Sequence, residues 1–391
     1  MALISIVIPT HNRQIYAAAS VRKIVDVLPS AQIVVSDTSA DDRLGSMLPV
    51  ASGGQDIKYV RPDRPMDVVS HFEFALSHAN GRFVLFLGDD DCVGPGLEKV
   101  ALWAEQNDVD TVFSYGNSFI ANYFWPGVKS RFYGDKYASS LFVHGFTGQA
   151  RRVDAIAELN QALHNIGSGL GNMPRIYHGL ISRDLIDRIR ERFGTLFGGV
   201  TPDISSAALI SAMARNAWQV DYPICLPGGS PSSTAGTGAA GTDMTSLRQH
   251  PHTAAFGDLR WDPMIPAYYA PYIVWAYSLK KTVDQLGSPD LKPNLARLYA
   301  ISLMRNREQR PKIMESFKNA QKLGVSSTDI GGEIVREMAF QGKRLLTRLA
   351  SPGAGGKAKH YTGLQDIGAS YDQLEKHIKQ HGIKLDLPSL R

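Results

Sequence analysis

Short apolar runs alternate with segments of helical period along the amino-terminal part of the chain. Leu3-Ile4-Ser5-Ile6-Val7-Ile8-Pro9 reads as a strand that turns at Pro9-Thr10-His11-Asn12-Arg13, and Ile15 to Leu28 carries apolar residues at helical spacing before Pro29. Gln32-Ile33-Val34-Val35-Ser36-Asp37 is a second strand, and Ile57-Lys58-Tyr59-Val60 a short third one ahead of Arg61 and Arg64. A helix is predicted from Asp67 to Ala79. Arg82-Phe83-Val84-Leu85-Phe86-Leu87 then runs unbroken into Gly88-Asp89-Asp90-Asp91. A strand apolar on both faces belongs inside a parallel sheet. Strand, helix, strand, strand, helix, strand with short connections predicts an α/β fold, a doubly wound, mostly parallel sheet. Every polar cluster falls at one edge of it, where such sheets bind ligands.

Further on, helices are predicted over Gly94 to Gln106, Val153 to His164, Asp184 to Phe193 and Ser205 to Asn216, and strands over Asp110 to Tyr115 and Trp218 to Pro227. Met173 to Ile181 is strand-like and sets Tyr177 beside His178, while Asn117 to Gly148 is rich in Phe, Tyr and Gly without a clean period. From Pro263 onward the pattern is helical: Ala270 to Leu286, Leu291 to Met304, Lys312 to Leu323, Ile330 to Leu349 and Ser370 to Gln380. The division this suggests is an α/β domain over residues 1–260 and a helical carboxyl-terminal extension over 261–391.

Three adjacent carboxylates repel one another unless something positive sits among them, and a divalent cation is the usual solution. Mg²⁺ or Mn²⁺ on one or two of Asp89, Asp90 and Asp91 would keep positions open for the oxygens of a diphosphate. A solvated acidic turn is the other reading of a bare Asp-Asp-Asp. The only cysteines are Cys92 and Cys225, which excludes a disulfide framework and a cysteine-built zinc site. Met1 leads straight into a strand pattern with no basic signal-peptide region, and no apolar run reaches the roughly 18 residues that span a bilayer. A soluble or peripheral, cytoplasmic protein is the expectation.

The formal charge of +5 is uneven. Between Ala276 and Arg391 there are 20 Lys and Arg against 11 Asp and Glu, so the rest of the chain is net acidic. A basic tail suggests an anionic partner. Around Glu333 to Leu349, Met338, Phe340, Leu345, Leu346 and Leu349 are flanked by Arg336, Lys343, Arg344 and Arg348. Such a helix suits either an anionic membrane surface or packing on a protein. Nucleic acid is not the expected partner.

Three ordered motifs at strand ends carry a resemblance. Ile6-Val7-Ile8-Pro9-Thr10-His11-Asn12-Arg13, Val34-Val35-Ser36-Asp37-Thr38-Ser39 and Phe86-Leu87-Gly88-Asp89-Asp90-Asp91 resemble the signatures of glycosyltransferase family 2. The resemblance covers roughly residues 3–230. It departs at His11 for the usual Tyr, at Ser36 and Thr38 around a single Asp37, and at Gly88 for the first Asp of the third motif. It implies a GT-A fold and transfer of a sugar from a nucleotide-diphosphate donor to a glycan or lipid-linked acceptor, as in bacterial surface polysaccharide synthesis, with inversion.

On that reading Thr10, His11, Arg13, Asp37, Arg61, Asp89 and Asp90 bind the donor. Asp89, Asp90 and Asp91 hold Mg²⁺ or Mn²⁺, with Asp91 expected as a direct ligand. Tyr177 and His178 lie under the acceptor, and the aromatic stretch before Gly148 offers faces for sugar rings. Asp203, at a helix start, is the expected base that takes the acceptor hydroxyl proton, although an Asp there also serves as an N-cap. Gly228 to Thr242, rich in Gly and Ser, reads as a lid with Ser230 and Ser232 near phosphate, and His250 or His252 as a candidate to complete a metal shell. His71 stands where many family members have Asn. A nucleotidyltransferase, lacking here its Gly-rich first loop, and a non-catalytic nucleotide- or carbohydrate-binding relative remain as alternatives.

Overall fold

The computed structural model describes residues 2–50, 56–114, 119–130, 134–233, 246–257, 259–350 and 356–390. Its first element, β1 (Ile4–Thr10), pairs in parallel with β2 (Gln32–Asp37), which pairs with β3 (Asp56–Val60). Helix α1 (Gln14–Val27) links β1 to β2, the short α2 (Arg43–Met47) precedes β3, and α3 (Val68–Ser77) leads to β4 (Phe83–Phe86) on the other side of β1. Asp67 starts α3 by accepting hydrogen bonds from the Val69 and Ser70 amides.

The two-residue β5 (Cys92–Val93), α4 (Leu97–Gln106), β6 (Thr111–Ser114), β7 (Ala121–Phe124), β8 (Ser140–Val143), β9 (Ala150–Val153) and α5 (Ala155–His164) follow. Then come β10 (Gly179–Ser182), α6 (Arg183–Phe193), α7 (Pro202–Met213), β11 (Ala217–Val220), β12 (Cys225–Leu226) and β13 (Gly228–Gly229). The main sheet has the order β3-β2-β1-β4-β10-β6-β11-β9. It is parallel from β3 to β4, while β10 runs antiparallel to both of its neighbours and β9 antiparallel to β11.

Side chains of β4 alternate between two cores, as the strand period requires. Phe83 and Leu85 face a layer built on α1 and α4, and Val84 and Phe86 face one built on α3 and α6. The register sets Thr10 opposite Asp37 and Val7 opposite Phe86, so the carboxyl ends of β1, β2 and β4 share one edge.

After β13 the chain is helical: α8 (Pro251–Ala254), α9 (Pro271–Leu286), α10 (Leu295–Arg305), α11 (Arg310–Gln321) and α12 (Ser327–Ala350). Two features tie the carboxyl-terminal helices to the rest of the chain. Ile273, Tyr277 and Leu298 share one core with Leu159 and Leu163 of α5 and with Ile204 and Ala208 of α7, so these helices extend the α/β body. Helix α7 has no solvent face: Ser205, Ser206 and Ser211 are buried along with its apolar residues. Then β14 (Lys359–Tyr361) pairs with β8, and α13 (Ile367–His381) returns Ile367, Leu374 and Ile378 to the amino-terminal core.

Other differences are local. Within the aromatic stretch before Gly148, β7 pairs antiparallel with β8. Of the strand predicted over Met173 to Ile181 only Gly179–Ser182 forms one, and the predicted Trp218 to Pro227 strand is two short pieces. The helix placed at Ser205 to Asn216 starts earlier, at Pro202, whose fixed φ suits a first turn. No described helix is long and apolar enough to cross a membrane.

Candidate active site

A cavity of about 480 Å³ opens at the shared carboxyl edge of β1 and β4, within the range of ligand sites. It gathers Thr10, His11, Arg13, Asp89, Asp90, Asp91, Tyr177, His178 and Asp203. Asp37 and Arg61 do not line it. Asp37 is fully buried and accepts hydrogen bonds from the Ser39 amide at 2.8 Å and the Tyr59 hydroxyl at 2.9 Å, so it holds its own turn. The Arg61 guanidinium donates to the Ser39 and Asp41 carbonyls beside it.

The positive group among the three aspartates is Arg13. Its guanidinium lies 3.0 Å from Asp89 and 2.6 Å from Asp90, and donates to the Ser230 hydroxyl at 2.8 Å. Arg13 sits just before α1, past Asn12, whose φ of 55° bends the chain out of β1. The remaining oxygen of Asp89 accepts from Thr10 at 2.7 Å, and Asp90 accepts from the Ser230 amide at 2.8 Å. Burial pushes the Asp89 carboxyl up to about 7 against the pull of Arg13 and Thr10. Asp90 is raised by burial and by the neighbouring Asp91 charge.

Asp91 is held differently. One oxygen accepts from the Gly88 amide at 2.6 Å and lies 2.6 Å from the His178 ring, and the other accepts from the Gly228 amide at 2.7 Å. Burial alone would raise it, but His178 and the two amides hold it below the ordinary range. Gly228 has to be glycine, because a Cβ there would run into the Asp90 carbonyl. His178 takes φ 65°, a left-handed conformation unusual outside glycine, where the chain reverses from its run beside β4 into β10. That reversal aims the imidazole at Asp91.

Gly88 marks a second replacement. A Cβ built on it would stand 2.6 Å from the Tyr177 hydroxyl and 2.8 Å from an Asp91 oxygen. The space a longer side chain would need is filled by the phenol of Tyr177. Burial and the three aspartates raise that phenol well above its ordinary value, so it is a neutral donor.

Asp203 lines the same cavity from the first turn of α7. Burial raises its carboxyl, partly offset by the Ile204 amide, Arg175 and His178. The first cap position belongs to Thr201, so Asp203 is not the N-cap. Around it, Phe119, Tyr269 and Trp275 supply aromatic faces. Tyr269, just before α9, and Trp275, in its first turns, carry no distinguishing signal in the sequence. His71 also borders the cavity, but its Nε2 lies 2.9 Å from the Ser36 hydroxyl, and burial lowers it to about 4.

In kind, the carboxylates suit a hard cation. The Asp89 oxygen without a hydrogen bond is the one 3.0 Å from Arg13, and Asp91 has both oxygens engaged by the Gly88 and Gly228 amides and His178. Among the described residues no three His, Cys, Asp or Glu side chains are grouped as a ready cage. The donor set fits a metal that shares Asp89 and Asp90 with Arg13. His250 stacks on Tyr269, its ring centroid 3.3 Å away. The His252 side chain and most of the Gly/Ser-rich stretch, from 234 to 245, lie outside the described residues.

Residues 5–155 match the family model described as Glycosyl transferase family 2. No curated protein matches the sequence. Among solved structures, S. aureus TarS 1-349 in complex with UDP-GlcNAc is 13% identical, with 80% of this chain and 79% of that one covered at a TM-score of 0.45. S. aureus TarS 1-349 is 13% identical over 97% and 91% at 0.42, and its complex with UDP is 13% identical over the same shares at 0.39. At such scores these likenesses add nothing to the assignment, which rests on the family match. Residues 5–155 are similar to family 2 glycosyltransferases, and this matched stretch is the one in which Arg13 meets Asp89 and Asp90.

Proposed function

We propose that the cavity transfers a sugar from a nucleotide-diphosphate donor to a hydroxyl of a glycan or lipid-linked acceptor, with inversion, in the making of a surface polysaccharide. What supports this is that the Arg13 and aspartate cluster and Asp203 line one cavity. The acceptor proton passes to an Asp203 oxygen as the acceptor oxygen bonds the anomeric carbon. The bond from that carbon to the diphosphate breaks, and its electron pair leaves with the nucleoside diphosphate. A carboxylate raised by burial is a stronger base than an exposed one.

Arg13 offers a planar fork suited to the diphosphate. Mg²⁺ or Mn²⁺ held on Asp89 and Asp90 would supply charge neutralisation at the leaving group. Tyr177 and His178 face the bound sugars, and Phe119 and Trp275 offer stacking surfaces. Peripheral contact with the inner face of the cytoplasmic membrane goes with a lipid-linked acceptor. Gly88 and the fully engaged Asp91 favour a second reading, a relative that binds the donor without turning it over.

Thermal shift against a panel of nucleotide-diphosphate sugars with Mn²⁺, followed by NMR of the product anomer, tests the proposal. A donor that stabilises the protein and yields an inverted product supports it. Retention overturns the displacement, and a stabilising donor that is never consumed favours the second reading.

A further inference from the structure

The backbone around Tyr177 is pinned beside the end of β4. The Phe86 amide donates to the Ile176 carbonyl at 2.9 Å, and the His178 amide donates to the Phe86 carbonyl at 3.0 Å. The ring is clamped as well. It stacks on Phe72 with 6.4 Å between centroids and 21° between planes, Phe72 stacks in turn on Phe86 at 5.3 Å, and the His178 ring packs beside it at 4.5 Å. A phenol fixed at backbone and ring holds its hydroxyl in one place.

Glycine at residue 88 is what leaves that place open. A Cβ there would come within 2.6 Å of the phenol oxygen, so the hydroxyl occupies ground that an Asp at residue 88 would need. The carboxylates nearby already have other donors. Asp89 takes Thr10 and Arg13, Asp90 takes Arg13 and the Ser230 amide, and Asp91 takes two amides and His178. Among the described residues none accepts a hydrogen bond from the Tyr177 hydroxyl, and the residue is partly exposed where it lines the cavity. Burial and the three carboxylates oppose a phenolate, so the hydroxyl keeps its proton. A neutral, fixed donor with no acceptor of its own suits an oxygen brought by a ligand.

Charge selects which oxygen. Arg13 is the only Lys or Arg among the described residues lining the cavity, and its guanidinium interacts with the Tyr177 phenol. The anionic part of a ligand is drawn to this end. We infer that the Tyr177 hydroxyl donates a hydrogen bond to a diphosphate oxygen of the donor, from a position that only glycine at residue 88 permits. The inference rests on the donor reading above. No proton changes hands: the phenol keeps its hydrogen while charge builds on the leaving diphosphate, where a charge-assisted bond is stronger. The exchange at Gly88 then trades a further negative charge for a donor.

Ligand-detected NMR titration of the full chain with Mn²⁺ tests it, first with UDP, GDP, CDP, dTDP and ADP, then with the parent nucleoside of the diphosphate that binds tightest. Tyr177→Phe keeps the ring and is expected to lose roughly 10- to 100-fold in affinity for that diphosphate and nothing for the nucleoside. Its ligand-free Tm should not change, because the hydroxyl has no described partner within the protein. Equal diphosphate affinity in the two proteins overturns the inference and leaves the donor reading standing. A loss shared by nucleoside and diphosphate overturns it too, since it gives the hydroxyl to the shape of the pocket. A wild type that binds none of these diphosphates overturns the donor reading and the inference with it.

Discussion

Replacing Arg13 by Gln removes the one guanidinium that lies between two buried carboxylates. Asp89 and Asp90 have side chains 3 and 6% exposed and sit 3.0 and 2.6 Å from it. Breaking a buried pair by deleting one partner costs about 3–5 kcal/mol. Arg13 is itself 21% exposed, so water screens part of the interaction and the lower end, about 3 kcal/mol, applies. The loss depends on pH. Burial already holds the Asp89 carboxyl near 7 with Arg13 present, and the variant moves it higher. The folded variant therefore binds more protons than its unfolded chain, and its deficit is full above the raised values. Relative to wild type it shrinks as pH falls toward about 7, below which Asp89 is neutral in both folded proteins. Urea unfolding of wild type and Arg13→Gln at pH 8 and pH 5 reads the difference directly. Mn²⁺ adds a second readout: with the guanidinium gone the cation has the aspartates to itself, and saturation to 100 times Kd would restore about 2.7 kcal/mol. A variant as stable as wild type at pH 8, or one that Mn²⁺ stabilises no more than wild type, refutes the view of Arg13 as the counter-ion of this pair.

Gly88→Asp should destabilise the protein by about 3 kcal/mol, because its Cβ alone would crowd the Tyr177 hydroxyl and its charge would join three others; Tyr177→Phe in the same chain should recover part of the loss in thermal melts. His71, lowered to about 4 from 6.5 by burial, stays neutral while the unfolded chain takes up a proton, so stability should fall between pH 6.5 and pH 4. That loss is on the order of 3 kcal/mol. His71→Asn should flatten that part of the pH profile of urea midpoints. Catalysis by Asp203 needs its carboxylate, and since burial raises that group, the acid limb of the rate profile should lie above the ordinary Asp value of 3.8.

Several parts of this account are legible in the residues themselves. The strand-end clusters at Thr10 and Asp89 are predicted from apolar runs that stop at Pro9 and Gly88, and the register brings those ends together as the doubly wound pattern requires. The need for a positive charge among three aspartates was also readable, but not that a residue 76 positions earlier supplies it; pairing across β1 and β4 decides that. The direction of β10 was hidden because an apolar run looks the same either way, and only the φ of 65° at His178 reverses it. The return of α13 to the first core was hidden too, since its charged face reads as solvated while Leu374 and Ile378 are the side that packs. Asp37 and Arg61, residue types suited to a ligand, lie outside the cavity lining and hydrogen-bond the loop after β2 and Tyr59.

The most direct measurement compares nucleoside diphosphate release by wild type, Asp203→Asn and Glu73→Gln. Glu73 is another partly buried carboxylate, but it is bound to Thr195, the Leu196 and Phe197 amides and Arg190, and does not line the cavity. If Asp203 is the base, Asp203→Asn loses about 10²–10⁴-fold in rate while its Tm at neutral pH holds or rises, because a desolvated charge is gone, and Glu73→Gln lowers Tm with its rate near wild type. Full turnover by Asp203→Asn would contradict the account.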